Sequence, residues 1–418
     1  MRLPFLMSFF LICTLSAAEP ALRLEFASLP QTAQAVSRPG KCIAPRFRDT
    51  VAAVTLFLTL GAAQHGMDLT RPLTIEFHAF GEQPAVRITA YALPGEYSSR
   101  KSIRYQNVRF RARRQGDLVL LETDGLTDVP PPVPPGGNLR PGEILRAEAA
   151  PDSIHRHFRF EDFNSRDPAV RLLLRGTDEL LGELRRLTLS CSAEPGMLRL
   201  ELTAVPRDDS ALAAWLKRPP VPKGLIEVFS GAETLAVLRL PPTAALRRYG
   251  KDYVEAGQKS FLPRELAAAA DGFAVLTADS RRGQAAARLA AGMEPSAAPA
   301  VRKALSGLGY TPFSGWYSLR RDPPLLAGTE KERIIFCGLE KLDRPLLEKL
   351  FAPTPYQGNV PDGLFVCLDL AHPDRPLALL RAEAGVLHLT LQASDRWFAA
   401  HGPLLDKPIL LPERKSRR

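Results

Sequence analysis

The sequence predicts an α+β fold of two tandem related repeats, each a mainly antiparallel sheet packed by helices. Short segments with an apolar residue at every second position recur along the chain, which is typical of strands with one buried face. Single helix-like segments interrupt these runs without a regular strand–helix–strand alternation, which favours antiparallel over parallel sheets. Several of the strand-like segments also resemble one another, in the same order along the chain.

The composition is that of a globular protein. The chain has 418 residues, 45% apolar and 24% charged, which excludes a disordered or fibrous protein. A chain of this length is expected to form two or three domains. The net charge of +10 is compatible with an acidic substrate, a membrane surface or nucleic acid as partner, and does not choose among them.

Residues 1–18 are typical of a secretory signal peptide. Arg2 is the only charged residue, an apolar run extends from Leu3 to about Leu15, and Ser16, Ala17 and Ala18 provide the small residues of a cleavage site before Glu19. An uncleaved anchor and a buried helix are the alternatives. The chain is therefore expected to be exported, to the periplasm or the medium.

A second apolar run, 51–63, predicts a buried helix with Asp49 at its N-terminus. It is shorter than the roughly 20 residues that a membrane-spanning helix needs. No longer apolar run follows, so the mature chain is expected to have no transmembrane span.

Four pairs of segments indicate an internal duplication. Residues 193–204 (AEPGMLRLELTA) and 382–393 (AEAGVLHLTLQA) each consist of a turn and an alternating strand. The other pairs are less similar: 22–30 with 198–206, 75–86 with 226–237, and 116–125 with 271–280. Because the pairs keep their order, we expect two copies of one structural plan rather than chance similarity between strands.

This duplication predicts the domain boundaries. Repeat 1 covers 19–197 and contains a stiff, exposed Pro-rich loop at 129–142. Repeat 2 covers 198–412 and ends on a closing strand at 386–392, followed by a basic tail at 413–418. Helices are predicted within these repeats at about 168–184, 209–217, 281–292, 299–307 and 344–351.

The cysteines are compatible with two states. Cys13 leaves with the signal peptide, and Cys42, Cys191, Cys337 and Cys367 remain. These four could form two disulfides in any of three connectivities. Three of them lie in apolar strand-like runs, so buried free thiols are at least as well supported.

Motifs for common enzyme chemistry are missing from the sequence. It contains no HExxH, GxSxG, phosphate-binding P-loop, dinucleotide-binding or calcium-loop pattern. No cofactor is predicted, and a non-catalytic protein is favoured over an enzyme.

The sequence contains one candidate metal site. If 152–162 is a strand, His155, His157 and Glu161 lie on one face and could bind zinc as two imidazoles and a carboxylate. Arg156 and Arg159 flank these residues and would repel a cation. A polar strand face exposed to solvent is therefore the favoured interpretation.

Positive charge is the clearest feature outside the predicted core. Residues 100–116 carry seven positive side chains and no acid, and with the tail they account for the whole net charge. On a strand, Arg109, Arg111 and Arg113 share one face, where their guanidinium groups could bind sulfate, phosphate or carboxylate groups. The alternative is a solvated face whose charges are offset by acids elsewhere in the fold.

These observations predict an exported, non-catalytic binding or envelope-structural protein. Its partner would be an anionic glycan, a lipid headgroup or a protein, and export makes nucleic acid an improbable partner. The alternative is an extracytoplasmic hydrolase that uses a metal ion bound by His155 and His157.

Overall fold

The computed structural model divides the chain into two compact units. The first unit comprises Met1–Arg159, Arg185–Thr203 and Gln392–Arg418, and the second comprises Phe160–Leu184 and Ala204–Leu391. The structure describes residues 20–35, 62–63, 65–79, 85–95, 102–105, 108–124, 126, 131–155, 175, 178–194, 197–241, 269–279, 285–307, 311–313, 316–319, 325–330, 332–339 and 344–394.

The described residues of the first unit lie mainly in nine strands. They are β1 (Leu22–Phe26), β2 (Met67–Ala79), β3 (Ala85–Ala92), β4 (Ser102–Tyr105), β5 (Val108–Gln115), β6 (Leu118–Thr123), β7 (Glu143–Ala149), β8 (Leu184–Glu194) and β9 (Met197–Pro206). Its described helices are short: 29–35 and Pro151–His155.

Eight of these strands pair in the order β4-β5-β6-β3-β2-β1-β7-β8, and every pair is antiparallel. The first described strand, β1, therefore lies inside the sheet, between β2 and β7. The β4–β5 hairpin lies at the other end of the strand order, where β4 pairs only with β5 among the described strands.

Alternation along the strands separates two faces of this sheet. Leu24, Ile75, Ile88, Leu121 and Ala112 lie opposite one another on successive strands and form one apolar row. The hydrophobic cores of the first unit are built on this face. The residues one position away along each strand are mostly charged or polar, and they form the opposite face.

The second unit contains the remaining strands. They are β10 (Glu227–Val228), β11 (Thr234–Arg239), β12 (Ala270–Asp279), β13 (Ala286–Met293), β14 (Thr311–Phe313), β15 (Trp316–Leu319), β16 (Leu325–Glu330), β17 (Arg333–Leu339), β18 (Thr354–Pro355), β19 (Phe365–Asp369), β20 (Ala378–Glu383) and β21 (Val386–Ser394).

Ten of these strands pair in the order β14-β15-β16-β17-β13-β12-β11-β19-β20-β21, again all antiparallel. The short strands β10 and β18 form a separate antiparallel pair. The described helices of this unit include Ala211–Leu216, Ala298–Gly307 and Arg344–Phe351, with 3-10 turns at Lys223–Leu225 and Pro295–Ala297.

Two helices pack against opposite faces of β17. Val301 and Leu305 of the helix Ala298–Gly307 join a core with Ile334 and Phe336. The helix Arg344–Phe351 buries Leu346, Leu347 and Leu350 in a core with Ile335 and Cys337. Because successive strand residues point to opposite faces, the unbroken apolar run of β17 supplies both cores.

The α+β class predicted from the sequence is wrong. Both units consist mostly of antiparallel sheet, and the described helices of the first unit have seven residues or fewer. One predicted helix, 281–292, contains most of β13, which pairs with β12 on one side and β17 on the other. The alanines of this segment have a high helix propensity, but they also fit between closely packed strands. The segment forms a strand because it pairs with β12 and β17.

Three other predicted helices are present. The helix predicted at 209–217 is Ala211–Leu216, and Ser210 caps it by accepting a hydrogen bond from the Ala213 amide. The helices predicted at 299–307 and 344–351 are Ala298–Gly307 and Arg344–Phe351.

Three of the four matched sequence pairs join strands that do not hold the same place in their units. β11, β12, β13, β17 and β19 take the places in their unit that β1, β2, β3, β6 and β7 take in the first. The pair 193–204 and 382–393 falls on β8 and β9 in one case and on β20 and β21 in the other. The pairs that begin at 22, 75 and 116 join strands that do not correspond, because alternating leucine and valine satisfy any half-buried strand.

Several predicted segments lie outside the described residues. They are the signal peptide 1–18, nearly all of the helix 51–63, most of the helix 168–184 and the tail 413–418. Within the described residues, no helix combines the length and the hydropathy needed to cross a membrane.

Cys191, Cys337 and Cys367 are free thiols, and Cys42 lies outside the described residues. Burial raises the pKa of the Cys191 thiol to about 11. Burial also raises the pKa of Cys337 to about 12, although nearby Arg288 acts in the opposite direction. A thiol with so high a pKa is a poor nucleophile, so these two cysteines are packing residues.

Candidate anion-binding face

The candidate site predicted from the sequence lies on β5 near the edge of the first unit's sheet. Arg109, Arg111 and Arg113 alternate with Val108, Phe110 and Ala112, and all three arginines are exposed. Phe110 and Ala112 pack against the apolar cores on the opposite face. The core therefore anchors the strand while its arginines face outward, and we call these three arginines the basic face.

Two of the three arginines are paired with acids. Arg111 Nε lies 2.6 Å from Asp124 Oδ1, and both side chains are largely exposed. Arg113 makes a forked contact with Glu122, with Nε 2.8 Å from Oε2 and Nη2 3.1 Å from Oε1. The charges of Arg111 and Arg113 are therefore offset by acids. This is what we expect of a solvated face whose charges are balanced elsewhere in the fold.

Arg109 differs from its two neighbours. Among the described residues, no acid forms an ion pair with it, and its side chain is exposed. The register of the β4–β5 hairpin places Arg104 directly opposite Arg109. Arg109 is therefore the member of the basic face whose charge no described acid offsets through an ion pair.

Arg111 lies at one end of a larger arrangement that sequence reasoning missed. The registers align Glu148, Arg23, Glu76, Arg87, Glu122 and Arg111 across β7, β1, β2, β3, β6 and β5. Acid and base alternate at every step, and we call this set the charged row. In the sequence, the charged row is visible only as charged residues at alternate positions of a strand, such as Arg23 and Glu25 of β1.

Ion pairs connect the middle of the charged row. Arg87 Nε lies 2.8 Å from Glu122 Oε1, and Arg87 Nη1 lies 3.7 Å from Glu76 Oε2. Arg23 Nη1 lies 3.9 Å from Glu76 Oε1 and Arg23 Nε lies 2.8 Å from Glu25 Oε1. A continuous chain of charges therefore runs from Glu25 on β1 to Glu122 on β6.

Solvent exposure rises steeply along this row toward the basic face. The side chain of Arg87 is 5% exposed and that of Glu122 17%, whereas Arg113 is 54% and Arg111 69% exposed. The charged side chains at the centre of the sheet therefore form ion pairs with one another and are shielded from solvent. Of the six residues of the charged row, Arg111 is by far the most exposed.

Glu76 lies at the centre of the buried part of the row. Burial by itself would raise the pKa of its carboxyl group, but His78, Arg23 and Arg87 outweigh that effect and the pKa is lowered. His78 Nε2 lies 3.8 Å from Glu76 Oε2. Glu76 is therefore held as a carboxylate between basic groups, which makes it a structural residue rather than a proton donor.

The lowered pKa of Glu76 predicts a contribution to acid stability. Because the folded pKa lies below the ordinary value of 4.5, the contribution is fully present above that pH and is lost as pH falls through the folded pKa. Urea unfolding between neutral and acidic pH should show a smaller acid-induced loss of stability in Glu76→Gln than in the wild type. Equal losses in the two proteins would show that Glu76 does not contribute.

The Pro-rich loop contacts the charged face of the first unit's sheet. Its described residues, 131–142, form no helix or strand. The Asn138 side-chain amide donates to Glu25 Oε1 at 2.7 Å, and its backbone amide donates to Glu25 Oε2 at 3.2 Å. Gly136 has a φ of +87°, and a Cβ there would meet Pro72 at 2.9 Å. The loop is thus fixed to the sheet at the inner end of the ion-pair chain.

A smaller buried charge cluster lies in the second unit. Glu227 Oε2 accepts from Arg288 Nη2 at 3.2 Å and lies 2.7 Å from Arg333 Nη1. Arg288 is almost fully buried beside Cys337, directly opposite it in the register. With both arginines facing one carboxylate, this cluster joins β10 to the sheet and offers no exposed cation.

The candidate metal site is not assembled by the described residues. The segment Pro151–His155 is helical, so the strand expected for Asp152 to Asp162 is wrong at its start. His157 and Glu161 lie outside the described residues. Among the described residues, no group of three or more His, Cys, Asp or Glu side chains is arranged to hold a metal ion.

Comparisons with known proteins give no family. No protein-family profile and no curated protein matches the chain. A solved structure of TP0453, crystal form I, matches 45% of this chain and 76% of its own, with 10% identity and a TM-score of 0.22. A likeness this weak carries no argument about fold or function.

Proposed function

We propose that this chain is an exported, non-catalytic binding protein that contacts an anionic partner through the basic face of the first unit. The observation that carries the proposal is the exposure of Arg109, Arg111 and Arg113 together on one strand. The strand lies near a sheet edge, so a partner can approach it. A glycan, a lipid headgroup or an acidic protein surface would each supply anionic groups.

The charge pattern around β5 supports a binding role over a purely structural one. Buried charges elsewhere in the unit are matched by close partners, as with Arg87 between Glu76 and Glu122. At the basic face the balance changes, because Asp124 and Glu122 pair with Arg111 and Arg113, whereas Arg109 has no ion pair among the described residues. Exposed guanidinium groups keep their capacity for forked hydrogen bonds to oxyanions.

Retention on a polyanion matrix tests this role. The variant R109S/R111S/R113S should bind about tenfold more weakly than the wild type, since three exposed contacts of about 0.5 kcal/mol each correspond to that factor. It should also elute at lower salt, because salt screens exposed charges.

A matched control removes three exposed arginines elsewhere. R186S/R344S/R381S lowers the net charge by the same amount at side chains that are 65%, 89% and 56% exposed. The proposal expects this variant to elute close to the wild type. Equal effects of the two triple variants would show that net charge, rather than the basic face, causes retention.

Export rests on residues 1–18 and has its own test. If the segment is a cleaved signal peptide, intact-mass analysis of the protein from its native cells should give a chain that begins at Glu19. A chain that retains Met1 and stays in the cytoplasm would contradict export.

A further inference from the structure

The three arginines of the basic face differ in how firmly acids of the chain hold them. Arg113 makes a forked contact with Glu122, whose side chain is only 17% exposed. Arg111 contacts Asp124 from Nε to Oδ1, between side chains that are 69% and 43% exposed. Arg109 is exposed and has no acid within ion-pair distance among the described residues. The cost of displacing an acid therefore rises from Arg109 to Arg111 to Arg113.

The contact between Asp124 and Arg111 is diagonal across two antiparallel strands. The register of β5 and β6 pairs Arg111 with Glu122. Asp124 comes two residues after Glu122, and in an antiparallel pair this direction leads toward Arg109. Its carboxylate nevertheless lies on Arg111. Asp124 thus occupies one arginine of the basic face and leaves the neighbouring Arg109 uncovered.

The ion pair of Asp124 with Arg111 is of the kind that an external anion can replace. Exposed ion pairs contribute little stability, because water screens the charges and two long side chains lose freedom when they pair. The oxygens of sulfate or phosphate match the guanidinium fork as well as a carboxylate does. An oxyanion in solution can therefore take the place of the Asp124 carboxylate.

We propose that Arg109 and Arg111 form the anion-binding site of the basic face, and that Asp124 is an internal competitor that the ligand displaces. This inference rests on the proposed function and adds the residue that limits its affinity. The ligand carries oxyanion groups such as sulfate. Residues two positions apart on a strand are about 7 Å apart, so a linear chain of such groups can contact both arginines. A free sulfate ion and the sulfate groups of a polysaccharide share this chemistry.

Replacing Asp124 by asparagine removes the competitor and keeps the size of the side chain. Asp124→Asn should bind labelled dextran sulfate about two- to threefold more tightly than the wild type, the factor expected when one exposed ion pair is released. Fluorescence anisotropy measures the affinity. Asp124 is 43% exposed and lies just after β6, so the fold should be unchanged, which circular dichroism checks.

The matched control removes an acid from another exposed ion pair. Glu348→Gln also takes away one negative charge, and it releases Arg344 in the second unit. Its affinity for dextran sulfate should equal that of the wild type. An equal gain in Glu348→Gln and Asp124→Asn would overturn the proposal, because the removal of any acid would then have the same effect.

A double-mutant cycle shows whether the gain depends on Arg111. In the Arg111→Ser background, Asp124→Asn should give no gain, because the arginine that it would release is absent. Equal gains in the two backgrounds would show that Asp124 does not compete for Arg111, and would overturn the proposal.

Single substitutions of the arginines test which of them bind. Arg109→Ser should weaken binding about threefold, whereas Arg113→Ser should weaken it by less than about twofold, since Glu122 already holds Arg113. A loss in Arg113→Ser as large as that in Arg109→Ser would contradict the assignment of the site to Arg109 and Arg111.

The failure of this inference can be told apart from the failure of the proposed function. Full binding by R109S/R111S/R113S would overturn both. Loss of binding in that triple variant, with no gain in Asp124→Asn, would overturn only the inference. Inorganic sulfate that displaces dextran sulfate better than chloride does at equal ionic strength identifies a single oxyanion as sufficient. Equal displacement by the two salts identifies the polymer as the ligand, and either result supports the site.

Discussion

Replacing Arg87 by methionine should lower the free energy of unfolding by about 3 kcal/mol, because it leaves two acids without their shared cation in a buried place. Arg87 Nε lies 2.8 Å from Glu122 and its Nη1 lies 3.7 Å from Glu76, and its side chain is only 5% exposed. Methionine keeps much of the side-chain volume, so the loss reports on charge more than on packing. The urea midpoint, followed by circular dichroism, measures it.

The matched control for Arg87 is an ion pair in solvent. Arg344 Nε lies 3.1 Å from Glu348 Oε1, at side chains that are 89% and 69% exposed. Arg344→Met should therefore change stability by about 0.5 kcal/mol or less. If Arg87→Met and Arg344→Met behave alike, the buried charged row does not hold the sheet of the first unit together.

Replacing Leu350 by alanine should cost about 2–5 kcal/mol in the second unit. Leu350 is fully buried and belongs to the core between the helix Arg344–Phe351 and β17, where it packs with Ile335 and Cys337. Truncation removes apolar contacts and leaves a cavity that rigid strands cannot fill by relaxing. Urea unfolding followed by tryptophan fluorescence, to which Trp215 and Trp316 of the same unit contribute, measures the loss.

Leu276 offers the control for this experiment. It lies on β12 of the same unit, and it is 39% exposed. Leu276→Ala should change stability by about 0.5 kcal/mol. A similar effect of both substitutions would show that the helix Arg344–Phe351 does not seal a core.

Sequence periodicity predicted strands well because each one has a face to bury. Leu198, Leu200 and Leu202 alternate with polar residues and lie in β9, and Leu387 to Leu391 lie in β21. The helix Arg344–Phe351 was equally clear, since Leu346, Leu347 and Leu350 fall at helical spacing. The spacing of the apolar residues therefore predicts the elements that bury one face.

Periodicity did not predict the elements that are buried on both faces. The alanine-rich residues from Ala286 became strand β13, with neighbours on both sides, although their composition suits a helix. The strand order could not be derived either, because β1 pairs with β7 across more than a hundred residues. Pairing over such distances depends on the whole fold rather than on local sequence.

The candidate site was predicted in part. Alternation along 108–115 placed Arg109, Arg111 and Arg113 on one face, and all three are exposed there. Their acidic partners were not predicted, since Glu122 and Asp124 come from β6 and the residue that follows it. The difference between Arg109 and the other two arginines depends on those cross-strand contacts and is visible only in the structure.

Hydrogen–deuterium exchange with and without a sulfated polysaccharide tests the central claim, that the basic face binds anions, most directly. We expect slower exchange in peptides that cover 102–115, because bound anion restrains the β4–β5 hairpin, which has a free edge among the described strands. Peptides from the helix Arg344–Phe351, which also carries an exposed arginine, should exchange at unchanged rates. Protection elsewhere in the chain, with none at 102–115, would contradict the claim.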